Sequence, residues 1–360
     1  MPQFFSQRLR RALRLLRWGV CVVLVLSIAV SVALKVQRFR ELFYPWLTIY
    51  VKEPGHEQTG HFYLYDATLG WKNVPNWTAT TRGYPLSINS RGLRDREHAY
   101  RKPPGVRRVL VLGDSFAWGY GVGDRDIFPE VLERRFESSG RNWQVINTGV
   151  SGWGTDQQYL FLKSEGFRYE PDVVVLAFYL MNDPREVVVS DIYGLSKPVF
   201  LDTRLTLGNV PVPLPSRPKS GLESKVENLE LVITLMGAIE RECRQRNCRL
   251  VVMKFGTFAD PTNGALSEVG ELFESKLSDL RDRVGYLDLD AEFRARKLRP
   301  KFLVAGNEDN HWNDFGHAQV GQILGEFLDE FLDRHGWLGR SEQKDTARLA
   351  DDGRFMETGS

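Results

Sequence analysis

From residue 107 onward, short apolar runs alternate with longer stretches in which apolar positions recur every three or four residues. The short runs are 107–112 (RRVLVL), 143–147 (WQVIN), 172–178 (DVVVLAF), 249–255 (RLVVMKF) and 284–288 (VGYLD). Each is too short for a helix and apolar on successive positions, as a strand buried on both faces must be. The longer stretches, about 126–139, 155–166, 222–246, 266–282 and 316–334, have helical spacing. Strands alternating with helices predict an α/β domain with a five-stranded parallel sheet covered on both faces. Residues 184–221 break the alternation with a Pro-rich loop that includes VPVPLPSRPKSG. A loop of that length is functional or disordered.

Ahead of this domain the pattern changes twice. Residues 61–106 carry turn residues, aromatics and β-branched residues without a helical period, which predicts a small β-rich cap closed by Pro103-Pro104-Gly105. Trp18–Leu34 is an uncharged apolar run of 17 residues preceded by five arginines. That is the lower limit for a membrane-spanning helix, roughly 17–25 residues. Lys35, Arg38 and Arg40 stand where a cleavable leader would carry small residues, so the run reads as an uncleaved signal anchor. The positive-inside rule then keeps residues 1–17 in the cytoplasm and sends the body out of it, periplasmic or extracellular. The expected division is 1–17 basic segment, 18–34 anchor, 35–60 juxtamembrane connector, 61–106 cap, 107–338 catalytic domain and 339–360 disordered tail.

Charge supports that division. Net charge is +2, but residues 1–40 hold eight basic residues and no acidic one, leaving 40 basic against 46 acidic in the remainder. The body is therefore not built to bind nucleic acid. Of the three cysteines, Cys21 lies in the apolar run. Cys243 and Cys248 are five apart, either pairing in an oxidising compartment or standing as buried thiols.

Candidate chemistry collects at the carboxyl ends of the strands, where open α/β sheets place their sites. Gly113-Asp114-Ser115 follows the first strand, Asn147-Thr148-Gly149-Val150-Ser151-Gly152 the second, and Met181-Asn182-Asp183 the third. Glu308-Asp309-Asn310-His311-Trp312-Asn313 precedes the last helix. Acyl transfer needs these residue types. Ser115 becomes a nucleophile if His311 takes its proton, and a carboxylate two residues away, Asp309, would orient the imidazole. The Ser115 and Gly152 N–H groups and the Asn182 amide suit an oxyanion. Each has an ordinary structural alternative as a cap, turn or core residue, and His317 and Asp156 read as structural. Trp118 and Trp312 flank the site, where they either pack or stack on a sugar ring. No metal ligand set and no cofactor is expected. Gly119-x-Gly121-x-Gly123 lacks the dinucleotide-binding spacing.

In order and context the four blocks resemble the SGNH (GDSL-like) hydrolase superfamily, with Ser115, Gly152, Asn182 and His311 in the family's serine, glycine, asparagine and histidine places. The resemblance covers about residues 107–335. It implies a flavodoxin-like three-layer sandwich with strand order 2-1-3-4-5. Two departures stand out. Leu180-Met181-Asn182-Asp183 replaces the usual Gly-x-Asn-Asp. The family's acid falls three residues before the histidine, where this chain has Glu308. The Asp-x-His-Trp-Asn form resembles the alginate O-acetyltransferase branch, so Asp309 is the assigned acid and Glu308 the alternative. The resemblance implies a serine esterase acting on an acyl ester, an O-acetyl group on a polysaccharide, and the apolar run 18–34 adds the membrane anchor. The alternatives are an O-acyltransferase using the same acyl-serine, and a glycan-binding or assembly module that keeps only the fold.

Overall fold

The structure, a computed structural model, describes residues 16–27, 48–53, 56–81, 83–214, 220–256, 264–299, 304–306 and 309–335. The chain divides into two compact units, residues 1–49 and 50–360. In the first, residues 16–27 are helical with exposed side chains. Among the described residues no helix is long and apolar enough to cross a membrane. The expected anchor runs on to residue 34, and its residues 28–34 lie outside the described residues, as does the expected tail 339–360.

The second unit is built on a five-stranded parallel sheet of β6 (Arg107–Leu112), β7 (Trp143–Asn147), β8 (Val173–Tyr179), β9 (Arg249–Phe255) and β10 (Gly285–Asp288). Their spatial order is β7-β6-β8-β9-β10, the 2-1-3-4-5 order expected. Register places Val109 beside both Val145 and Val173, and Val251 beside Val175 and Gly285. The central strands are sealed, with Val109 to Leu112 and Val173 to Phe178 at most 1% exposed, because both faces of a parallel sheet are covered. Successive side chains point to opposite faces. Val109, Val111, Val173, Val175, Val251 and Met253 join the core formed with helices α2 (Phe128–Ser138) and α8 (Asp314–Arg334). On the other face α3 (Thr155–Ser164) packs against α5 (Asn228–Gln245), which also lies on β9 and beside α6 (Gly264–Arg281). Helix α7 (Leu289–Ala295) lies against β9. Cys243 and Cys248, both buried, are free thiols, with the Cys248 N–H bonded to the Cys243 carbonyl at 2.9 Å.

The β-rich segment ahead of the sheet is sewn onto its carboxyl edge. β1 (Thr48–Glu53), β2 (His56–Asp66) and β3 (Gly70–Asn73) form one small sheet, and β4 (Thr78–Thr81) with β5 (Tyr84–Ser87) a hairpin. Buried Trp71 donates its indole N–H to the Ser151 carbonyl at 3.1 Å, and Trp153 returns one to the Trp71 carbonyl at 2.9 Å. The Gln157 amide reaches the Leu69 carbonyl at 2.7 Å, and Trp118 reaches Asn73 Oδ1 at 3.1 Å. Buried Arg94 holds the Trp118, Gly119 and Val122 carbonyls at 2.6–3.0 Å and Asp124 at 2.9 Å. The turn behind Ser115 is thereby fixed from the N-terminal side.

Within the Pro-rich stretch 184–221, the described residues 184–214 are more ordered than its composition suggests. Short antiparallel ladders pair Asp191–Ile192 with Leu195–Ser196 and Val199–Phe200 with Leu207–Gly208. They are pinned by Lys197, whose ammonium is fully buried against Asp156 and also donates to the Glu186, Val189 and Pro198 carbonyls at 3.1 Å each.

Candidate active site

Ser115 opens α1 (Ser115–Trp118), a single turn that leaves β6 at the carboxyl edge of the sheet. Asp114 caps it, its buried carboxylate accepting the Phe116 N–H at 2.9 Å, and Gly119 ends it in the left-handed region at φ 85°. The block after β7 is tied to the same turn. The Thr148 N–H and hydroxyl both donate to the Val111 carbonyl, at 3.0 and 2.7 Å, the Val150 N–H donates to the Gly113 carbonyl, and the Asn147 amide to the Ala117 carbonyl. The chain then passes through Gly152 at φ 78°, a conformation open to glycine and strained for other residues.

His311 comes from the far end of the sequence on a hairpin of β11 (Val304–Gly306) and β12 (Asp309–Trp312) that the hydrophobic pattern did not announce. Its Nε2 lies 2.7 Å from Ser115 Oγ. The ring is held between Phe116, stacked at 4.8 Å and 29°, and Tyr120, tilted at 4.7 Å and 47°. The turn that presents the serine therefore also clamps the imidazole. Trp312, the next residue, turns into the core against Phe116, Phe128 and Phe255, and Asn313 caps α8 by accepting the Gly316 N–H at 2.8 Å.

Asn182 stands at the start of α4 (Asp183–Glu186), its amide nitrogen 3.5 Å from Asp114 Oδ2. Asp114 thus links the serine block to the asparagine block. Ser115, Gly152, Asn182 and His311 are each partly exposed, whereas Asp114, Phe116, Asp183 and Trp312 beside them are buried. Glu308 lies outside the described residues, and so does the side chain of Asp309, whose backbone opens β12 opposite Gly306.

Sequence pattern did not reveal the acidic ground beneath this edge. Asp114, Asp183 and Glu186 are fully buried near one another. Burial pushes the Asp114 carboxyl above its ordinary range, opposed by the Phe116 N–H, His311 and Asn182. Burial and the neighbouring Asp114 and Glu186 charges hold Asp183 well above that range. Glu186 is raised to about 7, again chiefly by burial, while Tyr193 donates its hydroxyl to Glu186 Oε1 at 2.5 Å. Asp156 is the helix-start residue expected, and it is also the buried partner of Lys197. Trp118 and Trp312 are 1% and 4% exposed, so packing accounts for both and neither offers a face to a sugar. His317 is structural: its Nδ1 accepts the Phe128 N–H at 3.2 Å, and burial holds its pKa down to about 3.

Chemically, a hydroxyl within hydrogen-bond reach of a ring nitrogen, at a solvent-reachable sheet edge, has the geometry of an activated nucleophile. Among the described residues no group of histidine, cysteine and carboxylate side chains is arranged to hold a metal ion.

Comparison with known proteins agrees with this geometry. Residues 111–319, more than half of the chain, match the model of the GDSL-like lipase/acylhydrolase family. Among curated proteins none matches by sequence. Similar solved structures include the psychrotrophic esterase EstA from Pseudoalteromonas sp., 12% identical, with 63% of this chain and 99% of that one covered and a TM-score of 0.42. The lipase/acylhydrolase from Enterococcus faecalis is 15% identical, with 61% and 93% covered and a TM-score of 0.40. A two-domain esterase (CEX) active on acetylated mannans is 15% identical, with 62% and 49% covered and a TM-score of 0.39. The four blocks, the strand order and the family match together make this chain a member of the GDSL-like lipase/acylhydrolase family, an SGNH-type hydrolase.

Proposed function

We propose that the chain is a membrane-anchored serine esterase that removes an O-acetyl group from a carbohydrate through an acyl-serine intermediate. The observation that carries the serine chemistry is the 2.7 Å separation of Ser115 Oγ and His311 Nε2. As Oγ attacks the ester carbonyl, Nε2 takes its proton, and the carbonyl oxygen becomes an oxyanion facing the Ser115 and Gly152 N–H groups and the Asn182 amide. Collapse breaks the bond to the alkoxy oxygen, which leaves as the alcohol with the proton from His311. Water, deprotonated by the same imidazole, attacks the acyl-serine and releases the acid with Ser115 restored. Asp309 is assigned to orient His311.

The acetyl and carbohydrate parts rest on the Asp309–His311 spacing and its resemblance to alginate O-acetyltransferases. Trp312 and Asn313 in the same block already have structural work in core packing and helix capping, so hydrolysis is the reading preferred over acyl transfer. The anchor is read from the uncharged run Trp18–Leu34 behind its arginines, with the catalytic unit outside the cytoplasm.

The test is acetate release from vinyl acetate and from an acetylated oligosaccharide by the full chain and by Ser115→Ala, Asn182→Ala, Asp309→Asn and Glu308→Gln. Ser115→Ala is expected to abolish release, Asn182→Ala to cost about 10²-fold, and Asp309→Asn to cost far more than Glu308→Gln. Release by Ser115→Ala at the wild-type rate would contradict the mechanism. Release that required a sugar acceptor would replace hydrolysis with transfer, and a reporter fused after residue 340 that stayed cytoplasmic would remove the anchor's orientation.

A further inference from the structure

With Trp118 and Trp312 packed in the core, an exposed aromatic residue is presented at this edge by the 184–221 insertion. Tyr193 is 54% exposed. With Gly194 it makes the two-residue turn between Asp191–Ile192 and Leu195–Ser196, with φ of 51° and 80°. A hairpin turn with positive φ at both central residues favours Asn, Asp or Gly at the first, and a bulky side chain there is strained. The turn alone gives no reason for a tyrosine, so the reason lies with its side chain. That side chain is fixed twice. Its ring lies 3.3–3.5 Å from where a Cβ on Gly152 would stand, and its hydroxyl is bonded to buried Glu186 at 2.5 Å. The result is an aromatic plate, open to solvent and immobilised beside the glycine assigned to the oxyanion.

We propose that Tyr193 is the platform for the sugar ring that carries the scissile ester, its ring taking the C–H face of a pyranose while Glu186 holds the hydroxyl. An aromatic face is negative and a pyranose C–H face is apolar and weakly positive, so the two are complementary. This inference rests on the carbohydrate-esterase reading above and identifies the residue that gives it selectivity.

The test compares kcat/KM for an acetylated xylo-oligosaccharide with that for vinyl acetate, which has no ring to stack, by acid titration with the full chain. Tyr193→Asn removes the ring while supplying a residue the turn prefers, and it loses the hydroxyl's bond to Glu186, a loss that Tyr193→Phe shares. Tyr193→Phe keeps the ring. The saccharide-to-vinyl acetate ratio is expected to fall about tenfold in Tyr193→Asn, mainly through KM, and to stay within about threefold of wild type in Tyr193→Phe. A ratio unchanged in Tyr193→Asn overturns the platform. A wild-type protein that splits vinyl acetate but no acetylated saccharide overturns it too, leaving the serine chemistry intact. Inactivity on both substrates defeats the esterase reading and the platform with it.

Discussion

Replacing Lys197 by Met probes how the insertion behind Tyr193 is held. The Lys197 and Asp156 side chains are both 0% exposed and paired, and the ammonium also serves three main-chain carbonyls. Met fills most of the same volume but leaves the Asp156 carboxylate with no cation, and breaking one side of a buried ion pair costs about 3–5 kcal/mol. Burial already pushes the Asp156 carboxyl upward, with Lys197 opposing that shift, so the variant binds a proton there at a higher pH than wild type. For a domain of this size each kcal/mol lowers Tm by roughly 2–4 °C, which gives a fall of roughly 10 °C. Adding Asp156→Asn removes the stranded charge and keeps an Oδ1 for the Gln157 N–H it accepts at 2.9 Å. The double variant should therefore recover about half of the loss, the three carbonyls keeping the rest. Thermal unfolding followed by circular dichroism gives all three values. A single variant melting within about 2 °C of wild type would refute the reasoning, as would a double variant less stable than the single.

Two further predictions concern the core. His317 has its pKa held at about 3 against an ordinary 6.5, by burial first and then by the Arg94 and His311 charges. Between those values the unfolded chain binds a proton that the folded one refuses, so stability is lost as pH falls from 6.5 toward 3. Urea midpoints should drop more between pH 7 and pH 4 for wild type than for His317→Gln, and equal drops would contradict the assignment. Gly149→Ala should lower stability by about 1–3 kcal/mol, because the new methyl would lie 2.5 Å from the Trp118 nitrogen and 2.8 Å from the Ala117 carbonyl carbon, main-chain atoms that cannot give way. A Gly149→Ala protein with the wild-type urea midpoint would show that the turn behind Ser115 can shift.

Much of the sheet was legible because a buried parallel strand leaves an unbroken apolar run. Residues 107–112, 143–147 and 249–255 are strands at the expected bounds; the third strand is shifted by one residue, to 173–179, and the fifth starts one residue later, at 285. Helix starts were less legible where a cap lies inside a helix-like pattern. α5 begins at Asn228 rather than 222, since Glu227 turns its carboxylate onto the Leu229 and Glu230 N–H groups. Blocks of residue types located Ser115 and His311, but not the hairpin that carries the histidine, because a two-stranded ribbon beside the sheet has no period of its own to display. The insertion was illegible for another reason. Its order comes from Lys197 reaching Asp156, 41 residues away, and from Tyr193 reaching Glu186 and Gly152. Neither a buried ion pair between distant residues nor a turn residue packed on Gly152 leaves a trace in local pattern. Trp118 and Trp312 show the reverse, since proximity in sequence to the site did not tell which way each ring would face.

That Ser115, activated by His311, is the nucleophile is tested most directly by covalent capture. The full chain would be treated with a fluorophosphonate, and the modified peptide located by mass spectrometry, alongside Ser115→Ala and His311→Ala. One adduct per chain is expected, on Ser115, absent from Ser115→Ala and formed far more slowly in His311→Ala. An adduct on another residue, or labelling of His311→Ala at the wild-type rate, would contradict it.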